Sequence, residues 1–200
     1  MTPSASRPIA NSAISYARLA KDIGMPSRYE LFSFLVLFVF PMGLAFAAAM
    51  DLLTMTIPNR ISLVLVVAFL LASAALPLSL IAFANHIGAG VTMLAVGLGM
   101  FALGWLGGGD AKLIAVCALW FGFDQLMNFL LTAMIGGGLL AISILTYRSM
   151  LPPPWLARQS WALRLHGART GIPCGIALAG AALWLHPSPV WMERLSVGNP

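Results

Sequence analysis

Charge is scarce in this chain. Of its 200 residues 8% are Asp, Glu, Lys or Arg, and only six are acidic. A soluble domain of that size needs a far more charged surface, so the composition excludes an ordinary soluble fold. Cysteine is nearly absent too. Cys117 and Cys174 stand in different apolar segments without CxxC spacing, so they read as small core hydrophobes and not as a zinc site. His86, His166 and His186 fall at loops or span ends, with no metal-ligand spacing on one helix. No metal and no other cofactor is expected. No serine sits in a nucleophile elbow with a partnered histidine, which argues against a serine protease. Before Leu31 there is no apolar h-region, so no cleaved signal peptide is expected.

What is present is hydrocarbon. The chain is 60% hydrophobic, with a mean hydropathy of +0.92. At roughly 20 residues per crossing, it has room for about six short-looped spans. The expected fold is an all-α polytopic membrane helix bundle. Residues 1–30 read as a polar, mildly basic tail with a weak amphipathic stretch near 14–23. Residues 31–186 form the expected six-span domain, and 187–200 a C-terminal tail. The first span covers 31–50, helical through Thr56 until Pro58 disfavours helix at Ile57. The second covers 61–84, with a turn at Asn85-His86, and the third 87–106. Residues 111–147 are too long for one helix and suit a tight hairpin broken at Asp124-Gln125. Residues 148–170 form a basic loop with Arg148, Arg158, Arg164 and Arg169, a Pro152-Pro153-Pro154 stretch, and Trp155 and Trp161. The last span covers 171–186. Trp105, Trp120, Trp155, Trp161, Trp184 and Trp191 are expected mostly at the membrane interfaces.

Two of the six acidic residues fall at membrane depth. Asp51 ends the first apolar run, and Asp110 opens the run 111–123 after Gly107-Gly108-Gly109. A carboxylate in hydrocarbon costs roughly 2.5–3.5 kcal/mol at a span centre and less near the interface. Crossing parity puts both on one face, because span two leaves that face and span three returns to it. Arg60, Lys112, Arg148, Arg158, Arg164 and Arg169 share that face. Arg7, Arg18, Lys21, Arg28 and Arg194 lie on the other. Six against five is nearly even, and the arginine-rich loop tips the face with the aspartates toward the cytoplasm.

Two carboxylates sharing one proton can hydrolyse a peptide bond. One takes a proton from water, and the other, protonated, polarises the scissile carbonyl. Asp110 at a helix N-terminus is expected to be the more often ionised, and Asp51 toward a helix C-terminus the more often protonated. The three glycines would allow positive φ and close approach of a substrate strand. Thr54 lies one turn from Asp51, within hydrogen-bonding range. Lys112 either acts on the carboxylates or snorkels to phosphates. Asp124 and Asn128 read as caps and helix contacts on the opposite face.

At these residues the chain resembles the bacterial type IV prepilin peptidases, in particular the short form that serves Flp/Tad pili. These are GxGD-type intramembrane aspartyl proteases. Their pattern is an aspartate followed by a Thr-bearing Ile-Pro-Asn turn, and then a GxGDxK stretch. Here the first reads Asp51-Leu52-Leu53-Thr54-Met55-Thr56-Ile57-Pro58-Asn59, and the second Gly107-Gly108-Gly109-Asp110-Ala111-Lys112. A third block, Ile172-Pro173-Cys174-Gly175-Ile176-Ala177, resembles the family's Ile-Pro-Tyr-Gly-Ile-Ala segment, with Cys174 in place of the aromatic. The likeness runs over about residues 31–186. It implies a catalytic pair, Asp51 and Asp110. It also implies supporting positions at Gly107, Gly109, Lys112, Thr54, Pro58 and Asn59. The implied activity is cleavage of the leader peptide of a prepilin or pseudopilin at the cytoplasmic face of the bacterial inner membrane. Partners would be that substrate, the lipid bilayer and the pilus assembly machinery, with no nucleic acid. The larger members add an N-methyltransferase part with a four-cysteine zinc site. Two isolated cysteines imply peptidase activity alone. The competing readings are a small proton-coupled transporter or channel, which would show inverted repeats and a polar stripe, and a non-catalytic pilus or secretion assembly factor.

Overall fold

In the computed structural model, residues 28–75, 78–150, 158–167, 171–186 and 191–192 are described, and every element among them is helical. The stretch near 14–23, Pro152-Pro153-Pro154, Trp155, Arg169 and the tail after Met192 lie outside the described residues. Helix α1 (Arg28–Phe34) passes through a π-helical stretch, Leu35–Val39, into α2 (Phe40–Thr54). Pro41 explains the stretch. It has no N–H to offer Leu37 O, its ring crowds that carbonyl, and wider π geometry just before it relieves the clash. Then follow α3 (Asn59–Ala75), α4 (Leu80–Ala102), α5 (Gly108–Ser149), α6 (Ser160–His166) and α7 (Cys174–Trp184).

Three helices are long and apolar enough to cross a membrane: Glu30–Thr54, Leu80–Ala102 and Gly108–Ser149. Asn59–Ala75 and Cys174–Trp184 are apolar but shorter. Large apolar side chains such as Phe46, Leu80, Ile81, Val91 and Ile135 point outward. The architecture is an all-α membrane bundle. Helix α4 lies closely along the start of α5, because small residues let the backbones approach. A Cβ on Gly97 would sit 3.0 Å from Ala111 Cβ, and one on Gly90 would sit 3.1 Å from Leu119 Cβ.

The expected hairpin over 111–147 is present, but its break is at Gly122, not Asp124-Gln125. Gly122 has φ 66 and ψ 179 inside α5, a region open essentially to glycine alone. A straight 42-residue helix would run about 63 Å. Both ends of α5 instead lie near one short segment. Arg148 Nη2 donates to Gly171 O at 3.3 Å, while Gly109 and Gly175 both press on Ile57. Residues 171 and 175 can be at most about 14 Å apart, so the chain reverses at Gly122. Asn85 secures the reversal. Its Oδ1 accepts from Phe123 N–H at 3.0 Å, and its Nδ2 donates to Asp124 Oδ2 at 2.8 Å. Both backbone and side chain of the second limb's first turn are thereby satisfied.

Several expected boundaries move. Helix α2 ends at Thr54, not Thr56, because Met55 turns left-handed (φ 55) and sends its N–H to Asp51 O at 2.8 Å. Asn85 and His86 lie inside α4 and not in a turn, since Ser79 caps that helix by accepting from Ala82 N–H. His86 is not interfacial: it is 2% exposed, and its Nδ1–H donates to Leu119 O at 2.9 Å. Trp120 and Trp191 are also buried, not interfacial. Their indoles donate to Leu65 O at 3.0 Å and to Trp120 O at 2.9 Å, and those bonds are what allow the polar tips inside an apolar core. Phe40 stacks on Trp120 at 4.4 Å.

Replacing Gly122 with Ala should lower stability by about 1–3 kcal/mol, the cost of forcing a Cβ into that backbone region. Gly138→Ala, where no atom lies within 4 Å of an added Cβ, should stay within about 0.5 kcal/mol of wild type. Reversible unfolding in mixed micelles measures both.

Candidate active site

Asp51 lies in the last turn of α2 and is 5% exposed. Such a group requires a donor, and the first turn of α7 supplies one from its open N–H groups: Gly175 N–H donates to Asp51 Oδ2 at 2.7 Å. Only glycine fits there. A Cβ would meet Asp51 Oδ2 at 2.7 Å and Ile57 Cδ1 at 2.8 Å.

Asp110 is half-buried in the first turn of α5, whose N-cap is Gly107. Its Oδ1 is buried with no hydrogen-bond partner among the described residues. Asp51 and Asp110 are close enough for their charges to act on each other, and the Cys174 thiol lies within electrostatic reach of both. The two carboxylates of the sequence reading therefore share one neighbourhood. The backbone donor falls on Asp51.

Ile57 joins the three segments. It is buried, and it lies under both Gly109, where a Cβ would come within 3.1 Å of Ile57 Cβ, and Gly175. Gly107 makes room for the carboxylate itself, since a Cβ there would stand 3.0 Å from Asp110 Oδ2. None of Gly107, Gly108 and Gly109 has positive φ. Among the described glycines only Gly104 and Gly122 do. The expected left-handed freedom is thus not what the motif uses; closeness is.

The supporting positions divide. Lys112 Nζ donates to Asn59 Oδ1 at 2.6 Å, tying the start of α5 to the start of α3. Pro58 O accepts from Ile61 N–H at 3.1 Å and shapes the turn into α3. Thr54 does not bond Asp51. It is exposed, with Oγ1 2.7 Å from Met50 O and 2.8 Å from Thr56 Oγ1, because the left-handed Met55 swings Thr56 back toward it.

The arginines of 148–170 read in the sequence as interfacial charge that orients the bundle, and Arg148 and Arg164 also make specific hydrogen bonds. Arg164 Nη1 donates to Leu53 O at 2.9 Å, satisfying a carbonyl left open at the end of α2. Arg148 Nε donates to Leu165 O at 2.8 Å, and Tyr147 OH to Ala162 O at 3.3 Å. The basic segment is strapped across the end of the bundle that carries Asp51. No group of three His, Cys, Asp or Glu among the described residues could hold a metal.

Comparison with known families matches residues 38–142 to the type IV leader peptidase family. The chain belongs to that family. The matched stretch contains both aspartates, the Ile-Pro-Asn turn and the glycine motif, and covers just over half of the chain. It makes the protein a leader-peptidase-type protease, and it ends before the Ile172–Ala177 block that holds Gly175. No curated protein and no solved structure matches.

Gly175 is the site residue that sequence reasoning left without a role. Its only signal was the third family-like block, since no spacing rule links the start of α7 to a carboxylate 124 positions earlier. Gly175→Ala should lower peptidase turnover by about 10²-fold, the scale of an ångström-level displacement of a reacting group. Gly171→Ala, with nothing within 4 Å of an added Cβ, should leave it unchanged. Single-turnover cleavage of a leader-bearing substrate by the two purified variants measures the contrast.

Proposed function

We propose that this protease is of the aspartic type, with Asp51 and Asp110 as its catalytic pair, and that it removes the leader peptide of a prepilin or pseudopilin. The observation that carries the proposal is the convergence of two carboxylates from distant segments, in a chain with six acidic residues in all. Burying charge in such a setting is costly, and a shared proton between the two carboxyl groups offsets it.

Each group has a definable part. Gly175 N–H holds Asp51 by Oδ2. Asp110 Oδ1 is buried and no described protein group satisfies it, so the carboxyl gains from any partner that reaches it during the reaction. One carboxylate removes a proton from the attacking water while the other donates a hydrogen bond to the scissile carbonyl. As the tetrahedral intermediate collapses, the proton passes to the leaving amine. The glycines at 107, 109 and 175 keep the approach narrow, so that an extended peptide can lie against the backbone.

The substrate assignment follows from depth. Carboxylates at the end of a membrane helix meet a peptide where it leaves the bilayer, the boundary between a prepilin's basic leader and its apolar segment. The short Flp/Tad form, the bacterial inner membrane, a cytoplasmic orientation of the Asp51 end, peptidase activity alone and contact with the pilus assembly machinery belong to the same proposal. The basic strap at that end supports the orientation.

Co-expression with a candidate prepilin tests it. Wild type should shift the substrate by the length of its leader. Asp51→Asn and Asp110→Asn should each lower the cleavage rate by about 10²–10⁴-fold, the range of general acid–base catalysis, while remaining folded and membrane-inserted. Near-normal cleavage by either variant overturns the proposal.

A further inference from the structure

A concave feature lies near the carboxylates without including them. It is a groove of about 610 Å³ between α3, α4 and α5. Its walls are apolar, formed by Leu63 and Val66 of α3, Ile87, Val91 and Leu94 of α4, and Leu119 of α5. Gly90 lies on its lining, and the absence of a side chain lets α4 pack closely on α5 there: an added Cβ would stand 3.1 Å from Leu119 Cβ and 3.4 Å from Ala115 O. One mouth is polar. Asn59, Arg60 and Lys112 lie there, Arg60 exposed and Lys112 held by Asn59 Oδ1 at 2.6 Å. None of the lining residues is acidic. Asn59 and Arg60 open α3, so the positive end of that helix adds to the two cations. Ser62 also lines the groove, 8% exposed, and its Oγ is buried with no hydrogen-bond partner among the described residues.

We propose that this groove binds an anionic phospholipid, with an acyl chain along Val66, Ile87, Val91 and Leu94 and the phosphate between Arg60 and Lys112. Charge decides the polar end: two cations and a helix N-terminus, with no carboxylate in the lining, attract an anion and repel a basic peptide. Depth decides the apolar end. From Arg60 to Val66 along α3, and from Lys112 to Leu119 along α5, the groove runs about 9–11 Å. That stays within one leaflet of a hydrocarbon core about 30 Å thick. A transmembrane helix would meet it over only a third of its length, whereas a single chain hanging from a headgroup fills it.

The proposal does not rest on the catalytic reading, and its test reads binding instead of cleavage. The purified protein is mixed with phosphatidylglycerol or phosphatidylcholine of identical chains, and retained lipid is counted by native mass spectrometry. Wild type should retain phosphatidylglycerol in preference to phosphatidylcholine, and inorganic phosphate at the same concentration should not displace it. Arg60→Gln should lower that preference by about fivefold, the effect of about 1 kcal/mol per basic residue at an anionic surface. Leu94→Trp fills the groove from a partly exposed position and should lower retention of both lipids. Equal retention of the two lipids by wild type, displacement by inorganic phosphate alone, or unchanged retention in Leu94→Trp each overturns the proposal. A photoreactive residue at Val91 guards against a misfolded variant. Cross-linking to phosphatidylglycerol supports the lipid, and cross-linking instead to a prepilin helix or to a second copy of the chain overturns it.

Discussion

A buried carboxylate in a bundle built for hydrocarbon needs a partner, and for Asp51 that partner is the backbone of Gly175, 2.7 Å away. The contact fixes more than one side chain. It sets the register of α7 against α2, and it forbids any Cβ at position 175. It also brings Cys174 into the field of both aspartates. Ile57 extends the constraint by lying beneath Gly109 as well as Gly175, so the loop before α3, the start of α5 and the start of α7 meet at one place. Polar groups facing hydrocarbon have no water to fall back on. The ends of these helices are therefore held by one another.

The reversal at Gly122 makes the convergence possible. Without it α5 would carry Arg148 far from Asp110. With it, both ends of α5 return to the Asp51 end of the bundle, and Arg148 and Arg164 tie the segment 158–167 over the end of α2. The arginines that looked like interfacial charge in the sequence are also hydrogen-bond donors to carbonyls that helix ends leave open. Anchoring at an interface and capping a neighbour's C-terminus are compatible duties for a long, always-charged side chain. The groove proposed for lipid uses the same end of the bundle: Lys112 and Asn59 lock α3 to α5 on its rim.

Much of this was legible in the residues. Scarce charge and long apolar runs required a membrane bundle, and crossing parity required the Asp51 and Asp110 segments to share an end. The length of 111–147 required a hairpin, although Asp124-Gln125 looked like the break because polarity is visible in a sequence and a φ of 66 is not. Asp124 proved to be the partner of Asn85. Asn85-His86 looked like a turn for the same reason, yet both are interior residues of α4 whose polar atoms are spent on α5. Trp120 and Trp191 looked interfacial because their N–H groups need acceptors. Leu65 O and the backbone of Trp120 supply those acceptors inside the core.

The sequence alone determined the solvent this chain lives in, the all-helical answer to that solvent, and the identity of its two deep carboxylates, because hydropathy and crossing parity are additive along the chain. Tertiary structure alone decided which backbone group meets Asp51, why three glycines must be glycine, and where the arginines reach. Those outcomes depend on distances between segments far apart in sequence. A hydrogen bond or a clash of a few ångström has no counterpart in composition or periodicity.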